Sequence, residues 1–165
     1  MTLRNVAIED IDDVMRILSQ ARHAQRIAGF KQWENGYPSV DVLKSDIDGS
    51  TGYILDDNGL AAGYVAISTC DMEYNRHTEL WDVAQDYAVF HRIAISDEYR
   101  GRKLSFRLFD LAEAHAIKTG ALFVRIDTGL ENKPMQHILS KRGYSNLGHC
   151  DFVWGERFAY EKRLL

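Results

Sequence analysis

No run of apolar residues in this 165-residue chain approaches the roughly 20 needed to cross a bilayer as a helix, so no membrane partner is expected. The first residues, MTLRNVAIEDIDD, show no basic flank ahead of an apolar stretch, and no secretory signal is expected there. Proline is nearly absent, at two residues, and no Ser/Gly-rich or charge-block linker breaks the chain, so residues 1–165 read as a single domain. The two cysteines, Cys70 and Cys150, match no metal-ligand spacing; both are expected as buried free thiols of a cytoplasmic protein. Six histidines form no H-E-x-x-H or similar pattern, and no metal is expected. The net charge of −4 argues against a nucleic-acid partner, because such proteins advertise a basic surface. Phosphate loops of the usual kinds are also missing. There is no G-x-x-x-x-G-K-[ST], and no G-x-G-x-x-G follows a strand.

Against this acidic average stands ISDEYRGRKLSFRL, Ile95 to Leu108, where Arg100, Arg102, Lys103 and Arg107 crowd around Gly101. A strand, a tight turn and a helix start form an anion site, since unpaired amides point outward and the helix dipole favours negative charge. The side chains would add charge-assisted bonds. A solvated helix start with salt bridges to Asp97 and Glu98 is the competing structural reading.

The rest of the chain supplies the frame. TLRNV reads as a strand. Ile8, Ile11, Val14, Met15, Leu18 and Ala21 form the stripe of an amphipathic helix that Gly29 ends, and a second helix starts at Ser39. Two β-prone runs flank Asn58-Gly59 as a hairpin. Cys70 to Gln85 is polar and reads as a long loop or ragged strand extension. YAVFHRIAI has the composition of a strand buried on both faces. A helix from Leu104 stops at Gly120, ALFVRIDT is a buried strand, and Asn132 caps a helix with Pro134 in its first turn that Gly143 ends. YSNLGHCDF and RFAYEKRLL close the chain as strands. The order β-α-α-β-β-β-α-β-α-β-β predicts an α/β (α+β) fold with a mixed sheet and helices on its faces.

HRIAISDEYRGRKLSFRLFDLAEAHA resembles the acetyl-coenzyme A binding core of the GNAT family of N-acetyltransferases. IDTGLENKPMQHILSKRGY is similar to the family's next strand-loop-helix unit, and AYEKRL to its last strand. The resemblance spans essentially the whole chain. It implies the acyl-CoA N-acyltransferase fold, with a mostly antiparallel central sheet, and acetyl-CoA as co-substrate. By resemblance, Arg100, Gly101, Arg102, Lys103, Leu104 and Ser105 hold the pyrophosphate, mainly through backbone amides. Ile93, Ala94 and Ile95 offer main-chain groups to the pantetheine arm, and Asn132 and Lys133 lie near that arm. Lys103 stands where the family's second glycine is usual, and could replace close backbone approach with charge. Leu139 stands where many members carry a tyrosine that protonates the departing sulfur, so that acid is elsewhere, is water, or is not needed.

The activity so implied is acetyl transfer to a primary amine of a small molecule or a peptide. A non-catalytic acyl-CoA sensor or interaction module is the alternative, and a homodimer is left open. Histidine titrates near neutrality, which makes His91 the first candidate for the base that takes the amine proton. Glu79, Asp82 and Asp86 are alternatives that could instead attract a cationic amine. Trp33 and Tyr37, in QWENGYP, sit in the segment that by resemblance forms the acceptor wall, where their rings could hold an aliphatic or cationic group.

Overall fold

A computed structural model describes residues 1–165. Its strands are β1 (Thr2–Asn5), β2 (Gly52–Asp57), β3 (Leu60–Ser68), β4 (Tyr87–Ile95), β5 (Phe123–Thr128), β6 (Ser145–Phe152) and β7 (Gly155–Arg163), and its helices are α1 (Ile11–Ile27), α2 (Val40–Asp48), α3 (Leu104–Lys118) and α4 (Lys133–Lys141). The strands form one seven-stranded sheet in the order β1-β2-β3-β4-β5-β7-β6. The β4–β5 pair is parallel, whereas β1–β2, β2–β3, β5–β7 and β6–β7 are antiparallel. The mixed, mostly antiparallel sheet expected from the sequence is present, although β7 inserts between β5 and β6. No helix is long and apolar enough to cross a membrane.

Local chemistry explains the element ends. Ser39 caps α2 by accepting from the Val42 amide at 3.3 Å, and Asn132 caps α4 by accepting from the Met135 amide at 3.2 Å. At the β2–β3 turn, Asn58 (φ 54°) and Gly59 (φ 89°) both take the left-handed conformation that a two-residue hairpin demands. Gly63 on β3 is required for another reason: a Cβ there would lie 2.9 Å from the Ala94 carbonyl oxygen and 2.8 Å from Ile95 Cδ1. Only glycine lets β3 approach β4 so closely.

Contacts group the chain into two compact units, Met1–Ile67 with His91–Ala112, and Ser68–Phe90 with Glu113–Leu165. In the first, Val14, Ile17 and Leu18 of α1 and Leu43 of α2 pack with Ile54 and Tyr64 of the sheet. In the second, Tyr74 and Trp81 join Val89, Phe152 and Ala159. The segment read as an irregular loop is therefore partly core. A short 3₁₀ turn at Tyr74–Arg76 carries Tyr74, whose ring stacks on Trp81 at 4.9 Å. Nearby, the fully buried Arg125 lies over Tyr87 at 4.1 Å and bonds Glu161 at 2.8 Å. Two other expectations are corrected. Cys70 is exposed while Cys150 is buried, because Cys70 follows the end of β3 outside the core. β4 is buried from Tyr87 to Phe90 and again at Ala94, whereas His91, Arg92 and Ile93 are half-buried.

Arg4 on β1 ties two segments by bonding Asp10 at 2.7 Å and Asp56 at 2.9 Å. Its hydrogen bonds hold both carboxyls below the ordinary aspartate range. A depressed carboxylate stabilises the fold above its unfolded pKa, and that contribution fades as pH falls through the lower folded value. Arg4→Met is therefore expected to destabilise the protein by roughly 1 kcal/mol at neutral pH. The gap to wild type should close below about pH 4. Urea unfolding at several pH values checks this; a gap that stays constant into acid contradicts the assignment.

Candidate active site

The candidates fall into two groups, one in each unit. In the first, Ile93, Ala94 and Ile95 end β4, whose course continues through Ser96 into a 3₁₀ turn at Asp97–Tyr99 and then into the basic loop. The Ser96 amide bonds the Ala62 carbonyl at 2.9 Å, which anchors the exit of β4 to β3. After the turn, Gly101 (φ 76°) and Lys103 (φ 55°) are both left-handed, and α3 begins at Leu104. The Arg102 amide reaches back to Tyr99 at 3.4 Å, but the amides of Gly101, Lys103, Leu104 and Ser105 donate to no protein acceptor. Nothing lies within 4 Å of a Cβ built on Gly101. The result is an open concavity of amides at the positive end of α3.

Lys103 thus takes the left-handed backbone that a glycine would take more cheaply, at a cost of about 1 kcal/mol for a residue with a Cβ. Arg100 does not face outward unpaired; it bonds Asp97 at 2.6 Å, as the structural reading of the loop expects. Glu98 instead pairs with Arg16 of α1 at 2.7 Å. Arg102 lies over the Tyr99 ring at 5.1 Å, and the Tyr99 hydroxyl donates to Asp57 at 3.0 Å. Lys103 has no ion-pair partner, so the left-handed corner of the loop carries a free positive charge.

The same unit holds His91, Trp33 and Tyr37. His91 is half-buried on β4, next to Arg92, whose φ of 53° puts an irregularity in the strand. Sequence reasoning missed what Arg92 does. Its guanidinium grips the buried Asp46 of α2, with Nη2 at 2.6 Å and Nε at 3.1 Å, and donates to the Tyr37 hydroxyl at 2.9 Å. Tyr64 donates its hydroxyl to the same Asp46 carboxylate, and burial beside that anion pushes the Tyr64 phenol well above its ordinary range. The Arg92 link fastens Tyr37 to the strand that carries His91. Trp33 is 9% exposed and belongs to the core, meeting Tyr37 edge-on at 6.4 Å. It also backs a cavity of about 700 Å³ beside α1, lined by Arg22, His23, Arg26, Phe30 and Glu34 among others. This wall carries more positive than negative charge.

The second group lies in the other unit. Asn132 is spent on capping α4, and Lys133 reaches Gln136 at 3.3 Å. Leu139 is fully buried. Tyr144 gives its hydroxyl to Glu113 at 3.0 Å, and burial beside that carboxylate raises its phenol far above the ordinary value. Glu79 faces His77 at 3.0 Å, and its carboxyl is lowered by its own backbone amide and by His77. Asp82 accepts from the Ala84 amide at 3.0 Å, which lowers its carboxyl too. Both are poor bases for that reason.

Comparison with known proteins bears on the family and the fold. The chain is 31% identical to a GNAT-family acetyltransferase of Streptococcus agalactiae whose crystal structure superposes with a TM-score of 0.82, over 98% of this chain and 94% of that one. A Salmonella typhimurium protein solved with its cofactor acetyl-CoA shares the fold at 12% identity, with a TM-score of 0.70 over 100% of this chain and 94% of that one. An uncharacterised N-acetyltransferase of Methanocaldococcus jannaschii is 29% identical over 150 residues, 87% of this chain, which spans 60% of that protein's length. A sequence model described as the acetyltransferase (GNAT) family matches residues 13–144. The amide-lined turn after β4, the sheet order and these matches converge: the chain belongs to the GNAT acetyltransferase family.

Proposed function

We propose that the protein transfers the acetyl group of acetyl-CoA to a primary amine of a small molecule or a peptide. The observation that carries this reading is the run of unpaired amides at Gly101, Lys103, Leu104 and Ser105, set at a helix N-terminus in a chain of this family. Those amides and the Lys103 ammonium would hold the pyrophosphate. The main chain of Ile93–Ile95 would pair with the pantetheine amides, as an added strand would.

Three demands remain for transfer. The amine must lose a proton, for which His91 on the same strand is the candidate base. Negative charge developing on the carbonyl oxygen needs an N–H donor, and the β4 backbone near Arg92 supplies amides in that stretch. The thiolate must leave. The fully buried Leu139 has no proton to donate, and Tyr144 holds its own beside Glu113, so the thiolate departs unaided or takes a proton from water. The wall beside α1, with Arg22, Arg26 and Trp33, would receive the acceptor, and its charge favours an amine whose far end is anionic.

Calorimetry with coenzyme A tests the reading. Saturable one-to-one binding is expected, weakened about tenfold or more by Lys103→Glu, which reverses a loop charge with no ion-pair partner. Arg100→Glu should weaken it less, because Arg100 is already committed to Asp97. Absence of binding at millimolar coenzyme A removes the proposal. A mass-spectrometric screen of amines, with and without a carboxylate, then separates an enzyme from a sensor. Tight cofactor binding without any acetylated product supports the sensor.

A further inference from the structure

We propose that His77, Glu79 and Cys150 form a binding site for a borderline-soft divalent cation, Zn²⁺, apart from the acetyl-transfer residues. The sequence offered no ligand spacing because the donors come from separate places: two from the segment after β3, one from β6. The fold gathers them until their ligand atoms all lie within 4.8 Å of one another. His77 Nδ1 is 3.0 Å from Cys150 Sγ and 3.0 Å from Glu79 Oε1. A tetrahedral zinc with ordinary bond lengths holds such donors about 3.5 Å apart. The two His77 contacts need to open by only about 0.5 Å, and Glu79, whose side chain is 63% exposed, is free to move.

Two further features point to a ligating imidazole. The His77 ring is held edge-on to Phe152 at 4.7 Å, so its direction is fixed. Its other nitrogen, Nε2, is buried without a hydrogen-bond partner, 3.5 Å from Glu73 Oε1. A carboxylate on the far nitrogen is what orients a metal-bound histidine, by favouring the tautomer that leaves Nδ1 its lone pair. Glu73 is itself fixed by the Val153 amide at 2.6 Å. The surrounding charge suits a cation. Glu73, Glu79, Asp127 and Asp151 all act on Cys150, against Arg76 on Glu73 and Arg157 near Asp127. One thiolate, one imidazole and one carboxylate match the donors zinc accepts, and three protein ligands leave a fourth position for water. On binding, the Cys150 thiol gives its proton to solvent and a sulfur–metal bond forms in place of the S–H bond. The ion would tie the Tyr74–Trp81 segment to β6.

Cobalt(II) is the probe. Titrated into the full chain, it is expected to bind one-to-one with a sulfur-to-metal charge-transfer band and the strong visible absorption of four-coordinate cobalt, both removed by added zinc. Cys150→Ser should abolish the charge-transfer band while Cys70→Ser retains it. Glu73→Gln should weaken binding roughly 10- to 100-fold without changing the spectrum. Glu79→Gln, on the surface, keeps the test decisive if the Cys150 variant fails to fold. It should lower affinity at least tenfold with the metal-free melting temperature unchanged. Absence of the band, its survival in Cys150→Ser, its loss in Cys70→Ser, or full affinity in Glu79→Gln overturns the site. None of these readouts depends on acetyl transfer.

Discussion

Asp46→Asn is expected to cost about 3–5 kcal/mol of folding stability, because it leaves the Arg92 guanidinium buried without its counter-ion. The side chains are 9% and 13% exposed, so water cannot take over the lost interaction. The geometry is bidentate, and the Tyr64 hydroxyl would lose its anionic acceptor as well. Arg92→Met should cost a similar amount, since it strands Asp46 instead. The double replacement, Asp46→Leu with Arg92→Met, should recover much of the loss, as paired removal of buried charges does elsewhere. Denaturant unfolding of the four proteins decides it. A loss below 1 kcal/mol for Asp46→Asn would show that the pair is solvated in practice. Tyr37 should also lose its anchor, so any acceptor KM measured on the surviving variant is expected to rise.

His91→Ala is expected to lower turnover by roughly 10²-fold while the affinity for coenzyme A stays nearly constant. The split follows from the division of labour at the site. In the proposed site, cofactor holding would rest on the amides around Gly101 and on Lys103, whereas His91 would act only on the amine proton. Of the rival carboxyls, Glu79 and Asp82 are both held low by hydrogen bonds and accept protons poorly. The pH–rate profile of the variant should lose one ionisation. Wild-type turnover and an unchanged profile in His91→Ala would falsify the assignment and leave Asp86 as the next candidate.

What could be read from the sequence was whatever local chemistry decides. The element order, the helix start at Ser39, the cap at Asn132 and the Asn58-Gly59 hairpin depend on a few neighbouring residues, and each is found in the structure. The basic loop was legible for the same reason. What escaped depends on partners distant in the chain. Asp46 and Arg92 are 46 positions apart, and neither carries a mark of the other. The segment from Cys70 to Gln85 has no periodicity because its order comes from single aromatics, Tyr74 and Trp81, inserted among residues of β4 and β6. Composition alone did not separate a core tryptophan from a wall tryptophan at position 33. Nor could it show that Lys103 would accept a left-handed backbone, a choice made by the turn as a whole.

The unequal cysteines give the protein an internal clock for its own opening. A thiol reagent meets Cys70 at once, and it meets Cys150 only when the layer of Tyr74 and Trp81 parts from β6. The first equivalent of label therefore counts molecules, and the second counts excursions. Its rate reports the free energy of that local opening if reclosing outruns the reagent, and the opening rate itself if it does not. The native sequence carries both the reference and the reporter, with no residue to be added.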